Sequence, residues 1–142
     1  MGVASVTRLK LRSWRYLPPF ALETLASARQ AARTPGFLGG AILNDRDLTF
    51  WTLTAWENEA ALKAFMMTGA HARVMPKLIM WCDEAAVARW EAEALPGWDE
   101  AVAKLKTAGR PSRVKFPSVR HKDLDFPRPV MTRSVPIKAR RA

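Results

Sequence analysis

The stretch LTFWTLTAWENEAALKAFMMTGAHA, Leu48 to Ala72, changes its hydrophobic period part-way along. In its first half Leu48, Phe50, Thr52 and Thr54 alternate with Thr49, Trp51, Leu53 and Ala55, the period of a strand. β-Branched and aromatic residues dominate there, as a half-buried pleated surface prefers. In its second half Ala61, Leu62, Phe65 and Met66 recur at helical spacing, while Glu57, Glu59 and Lys63 are left for water. Asn58 is placed to cap that helix, and the acids beside it suit its positive end. Thr68-Gly69 breaks the helix, and His71 follows at its far end.

Outward from this unit the chain reads as strands and helices in a definite order. Thr7, Leu9 and Leu11 alternate with Arg8, Lys10 and Arg12, so Val6 to Trp14 is a first strand with a basic face. Pro18-Pro19 stops it, and a helix from about Phe20 to Arg33 ends at Thr34-Pro35-Gly36. Phe37 to Leu43 is a second strand, joined to the third by the tight turn Asn44-Asp45-Arg46-Asp47. Pro76 opens a new turn or helix, and Leu78 to Cys82 fits helix or strand. Asp83 caps an expected helix from Glu84 to Ala94, Trp98 to Ala108 is a further helix, and Ser112 to Phe116 is the expected fourth strand. The class is therefore α+β: a ferredoxin-like split βαβ with an antiparallel sheet and a helical insertion before the last strand. Its second face, bearing Trp51, Leu53, Leu9 and Leu11, needs a cover. A second copy would provide one, giving a homodimer and a dimeric α/β barrel.

The chain has 142 residues, six Trp and a net charge of +10. One Cys excludes an internal disulfide framework and suits a reducing, cytoplasmic setting. No apolar run is long enough to span a bilayer, and the N-terminus carries no signal-like apolar segment. The chain divides into a folded domain, residues 1–117, and a Pro-containing basic tail, residues 118–142. Seven cations against two acids give that tail a charge of +5. Its composition predicts an extended segment that is mobile or orders on a partner. Nucleic acid, an anionic surface and the partner subunit are the candidate contacts, the first two through charge alone.

The pieces FWTLTAWENEAALKAF (50–65) and GAHARVMPKL (69–78) resemble the dimeric α+β barrel proteins, the class of the antibiotic-biosynthesis monooxygenases. With WEAEALPGWDEA (90–101) and GRPSRVKFPS (109–118), they are most similar to its spheroidene monooxygenase-like branch and the uncharacterised bacterial proteins around it. The resemblance implies a small dimer with a pocket between sheet and helices. It implies a monooxygenase-like enzyme or binding protein for an apolar or aromatic molecule, either cofactor-free or haem-dependent. The haem-degrading branch uses an Asn, a Trp and a His; His71 and Trp51 or Trp56 match two of these by placement, and the first strand has no Asn.

His71 is the candidate catalytic residue, as a base or, through iron, a ligand; a helix-end histidine that merely caps is the bland alternative. Trp51, Phe50, Trp56, Phe65 and Met75 are the candidate substrate contacts. Trp51 and Trp56 are an odd number of residues apart and point to opposite faces of a regular strand, so only one of them lines any one pocket; Trp51 is the one expected on the sheet face under a ligand or a partner subunit. No metal site is expected, since the other histidine, His121, lies in the tail. Cys82 has no basic neighbour in sequence and reads as buried and inert. The alternative to an enzyme is a non-catalytic dimer whose basic tail binds an acidic partner.

Overall fold

A computed structural model describes residues 2–124 and 126–139. Strands β1 (Val3–Leu11), β2 (Phe37–Asn44), β3 (Thr49–Trp56) and β4 (Cys82–Glu91) form the body of one antiparallel sheet. Two short strands, β5 (Arg110–Pro111) and β6 (Ser134–Ile137), extend it to the order β5-β4-β1-β3-β2-β6. Helix α1 (Leu17–Arg33) joins β1 to β2, and α2 (Glu59–Met66) and α3 (Gly69–Trp81) lie between β3 and β4. Helix α4 (Trp98–Ala108) follows β4. This is the expected α+β, ferredoxin-like plan. No helix among the described residues is long and apolar enough to cross a membrane.

The Leu48–Ala72 unit folds as its two periods dictate. Asn58 Oδ1 caps α2 by accepting from the Ala61 N–H at 2.9 Å. Leu62 and Phe65 are its buried side chains. Helix α1 starts at Leu17, earlier than expected, because Pro18 and Pro19 sit in its first turn, where an N–H has no helical acceptor. Prolines that read as a stop are here part of a start. Likewise α3 runs through Pro76 to Trp81 without a break.

The fourth strand is the main correction. The expected helix, Glu84 to Ala94 capped by Asp83, is instead the strand β4 as far as Glu91, paired with β1 along its length. Its alanines have high helix propensity, but pairing with β1 along its whole length supplies a full ladder of backbone bonds on that side, and tertiary context overrides propensity. Ser112 to Phe116 is not a strand; only Arg110–Pro111 pairs, with Ala86 and Val87. Helix α4 therefore comes after the fourth strand, and the helical addition that precedes that strand is α3.

The cover of the Trp51 face differs as well. Val6, Leu43, Trp51, Leu53, Ala86 and Ala88 point to one side of the sheet and pack against Ala101, Val102 and Leu105 of α4 and against Phe126. Small alanines on β4 let the helix lie close. The segment leading to β6 is thus a strap across the chain's own sheet. Phe126 meets Trp51 edge-on at 5.4 Å between ring centroids. Asp45 clips the strap to the β2–β3 turn by accepting from Val130 N–H at 3.1 Å and Trp51 Nε1 at 3.2 Å. Beneath Phe126, Arg8 makes a 2.7 Å ion pair with Glu84, and Ser118 donates to the same carboxylate at 2.9 Å. Burial pushes the Glu84 carboxyl up, but the bonds from Arg8 and Ser118 and the charges of Arg8 and Lys10 outweigh it and hold it below its usual value. The sequence assigned this cover to a second copy; α4 and the strap supply it.

Candidate active site

On the opposite side of the sheet, α1, α2 and α3 enclose a cavity of about 560 Å³. Its floor is built from Thr7 and Leu9 of β1, Thr52 and Thr54 of β3, and Val87 and Arg89 of β4. Its roof includes Phe20 and Ser27 of α1, Leu62 and Phe65 of α2, and His71 and Met75 of α3. The size is that of a site for a small organic molecule, and the walls are mostly apolar.

His71 is placed by three contacts. The chain leaves α2 and turns into α3 through Gly69, whose positive φ of 62° favours a residue without a side chain. Gln30 of α1 staples this turn: its Nε2 donates to the carbonyls of Phe65 at 3.0 Å and Thr68 at 2.7 Å, and its Oε1 accepts from His71 N–H at 2.8 Å. The ring lies 4.6 Å from that of Phe65. Its Nδ1 is 3.3 Å from the carbonyl oxygen of Met66. A carbonyl only accepts, so in this bond Nδ1 carries the proton and the neutral ring keeps its lone pair on Nε2. Burial lowers the His71 pKa; the bond to Met66 works against this, and the charge of Arg89 adds to the lowering. The result is a neutral imidazole, a base rather than a cation, at physiological pH.

Three of the expected residues, His71, Phe65 and Met75, come together around this cavity. Trp56 is fully buried directly behind Phe65, at 5.1 Å, with its indole N–H donating to Thr54 Oγ1 at 3.0 Å. It supports the wall without lining it. Phe50 faces a neighbouring groove and packs on Phe20 at 4.8 Å. Trp51, the tryptophan expected in the pocket, lies on the far side of the sheet under Phe126. The parity of the strand was right; the choice between its two faces was not, because the cover that claims Trp51 comes from distant α4 and strap residues.

The sequence reading missed Arg89, Gln30 and Ser27. Arg89 was hidden by assigning its segment to a helix; as a strand, the alternation Ala85, Val87, Arg89 puts it on the cavity side. Its Nη2 lies 2.9 Å from Met66 Sδ, and its Nε is buried without a protein partner. Ser27 Oγ is also buried without one. Elsewhere, His121 accepts from the Ala85 N–H at 3.2 Å. Cys82 is buried, and burial with Asp83 nearby pushes its thiol up to about 12, so it is no nucleophile. No cluster of His, Cys, Asp and Glu suited to a metal ion occurs among the described residues. The cavity fits haem poorly: haem carries two propionates, and the walls offer Arg89 as their one part-buried lysine or arginine, Arg113 being exposed.

The fold is that of the antibiotic-biosynthesis-monooxygenase structures. The chain is similar to an antibiotic biosynthesis monooxygenase at 14% identity and a TM-score of 0.57, over 63% of this chain and 97% of that one. It is similar to SnoaB, a cofactor-independent oxygenase from Streptomyces nogalater, at 19% identity and a TM-score of 0.51, over 64% of this chain and 92% of that one. A conserved protein from Methanosarcina mazei matches at 12% identity and a TM-score of 0.58, over 64% of this chain and 92% of that one. No family profile and no curated protein matches the chain. At these identities the likeness establishes the fold alone.

Proposed function

We propose that the chain is a monooxygenase-like enzyme that oxidises an apolar, aromatic substrate in the His71 cavity without a cofactor. The observation that carries this reading is an imidazole, its Nδ1 held by Met66 and its backbone N–H by Gln30, in the wall of a mostly apolar chamber. Nε2 of His71 takes a proton from an activated CH2 of the substrate, or from the O–H of its enol; the carbanion bonds to dioxygen, the imidazolium returns its proton to the peroxide, and loss of water leaves one oxygen on that carbon as a carbonyl. The apolar walls exclude water from this anion. The fold shared with a cofactor-independent oxygenase supports the same reading. The setting we propose is cytoplasmic.

The alternative, a basic tail for an acidic partner, is weakened by what the tail does. Arg128 pairs with Asp99, Arg133 donates to the Asp45 carbonyl, and the strap covers the sheet. A homodimer, inferred to hide the Trp51 face, must use another surface, since that face is already filled.

Dioxygen uptake with naphthoresorcinol, whose keto tautomer is a carbon acid, tests the proposal. His71→Ala should lower uptake about 100-fold or more, the low end for loss of a general base. Equal uptake by the variant, or none by the intact chain across a panel of such carbon acids, would remove the enzyme reading.

A further inference from the structure

The cavity contains a charge that the proposed proton transfer does not use. Arg89 projects from β4 into a chamber with mostly apolar walls, and no ion pair to it occurs among the described residues. The other charged groups in the walls do not answer it. Glu23 is engaged by Arg73 at 3.4 Å and by Lys77 at 3.5 Å, and Arg113 is a further cation. Arg89 is half-buried, with its Nε wholly out of solvent, and a guanidinium so placed is costly unless an anion or several acceptors meet it. Here its single partner is a thioether sulfur, a weak acceptor.

The two nitrogens concerned are Nε and Nη2, which together form the side-on fork of the guanidinium. That fork matches the spacing of two carboxylate oxygens. At present Nη2 rests on Met66 Sδ and Nε has no protein partner. Ser27 Oγ, in the α1 wall of the same cavity, is a second buried polar atom without one. Of the three such side-chain atoms found among the described residues, these two line this cavity, while the third, Arg8 Nε, lies on the other side of the sheet.

We propose that the ligand of this cavity is an apolar, ring-bearing carboxylate, its carboxylate seated side-on on Arg89 in place of Met66 Sδ and its body against Phe65, Leu62 and Val87. Met66 links the two functional groups, since its carbonyl holds His71 Nδ1 and its sulfur holds Arg89. The carboxylate end of the ligand is therefore anchored close to the imidazole. Arg89 selects the ligand and His71 acts on it. This inference rests on the cavity being the ligand site and names the class of molecule it takes.

The test is calorimetric titration of the intact chain with β-naphthoate and with β-naphthylmethanol, which share a ring system and differ in charge. The carboxylate is expected to bind about 10- to 100-fold more tightly, the range of one buried charge-assisted interaction. Arg89→Met should erase that preference and Arg89→Lys should restore part of it. With methyl-labelled methionine, β-naphthoate should shift the Met66 methyl resonance as its sulfur is released, and that shift also reports on folded protein if Arg89→Met proves unstable. His71→Ala should keep the preference while losing oxygen uptake. Equal affinity for the two compounds, no binding of the carboxylate, or a preference that survives Arg89→Met would overturn the proposal. Loss of the enzyme reading alone would leave the carboxylate preference in place, so the two failures are distinguishable.

Discussion

Replacing Phe126 by Ala tests whether the strap is a structural cover. Phe126 is 4% exposed and touches three partners: the Trp51 ring at 5.4 Å, the Arg8 guanidinium at 4.8 Å and Lys106 Nζ at 5.0 Å. Truncating a buried Phe costs about 3–5 kcal/mol, cavity included. The strap can partly collapse onto the space, which favours the lower end, while loss of the edge-on ring contact adds about 1 kcal/mol. The expected loss is about 3–4 kcal/mol. Because the strap is secured by Phe126, the partly buried Leu124 and Met131 and a few polar bonds, part of that loss should appear as local opening. Hydrogen exchange separates the two. The amides of Val130 and Asn44, bonded to Asp45 Oδ1 and to the Arg133 carbonyl, report the strap, whereas β1–β3 amides report the sheet. Strap amides should lose protection first, with Trp51 emission shifting to the red as water reaches the indole. A denaturation midpoint equivalent to less than about 1 kcal/mol of change, with strap protection intact, would refute the claim that this ring holds the cover in place.

Arg8→Met alone should cost about 3–5 kcal/mol in urea unfolding, because Glu84 is left charged and buried, while Arg8→Met with Glu84→Leu should lie within about 1–2 kcal/mol of the parent; equal losses in both would contradict the pairing. Stability should fall on acidification in two stages. His71 is half-buried with its pKa lowered, so below 6.5 the unfolded chain takes up the proton first, and stability declines from there towards the lower folded value. Glu84, also lowered, contributes fully above about 4.5, and that contribution is lost as pH falls through its folded value. Urea midpoints across this range should show both declines, and His71→Ala should remove the first. Gly40→Ala should lower the melting temperature, since a Cβ there would sit 2.7 Å from the Leu53 carbonyl oxygen across the β2–β3 pair. A cost of about 1–3 kcal/mol is expected, and an unchanged melt would show that the strands can part.

How much of this was legible in the chain divides along local and distant causes. The period change at Trp56–Asn58, the cap and the β2–β3 hairpin depend on neighbours in sequence, and they were read correctly. The strand β4 was not, because Ala-rich composition favours a helix locally and only pairing with β1 makes it a strand. That error hid Arg89. His71, Phe65 and Met75 were found together because α2 and α3 are adjacent, whereas Trp51 was misplaced because its cover arrives from residues 98–126. Gln30 carried no signal at all. An amide in a helix looks like surface until the turn it staples is seen.

The outermost strands have a consequence of their own. Arg110–Pro111 and Ser134–Ile137 are short, and each carries a proline, which offers no N–H to an incoming strand. They cover Ala86 and Val87 of β4 and Gly40 to Leu43 of β2, so at those points the rims of the sheet make poor templates for stacking one molecule upon another. Removing residues 134–142 would uncover the Gly40 to Leu43 edge of β2, a hem taken off a fabric that is then open to pairing with another chain.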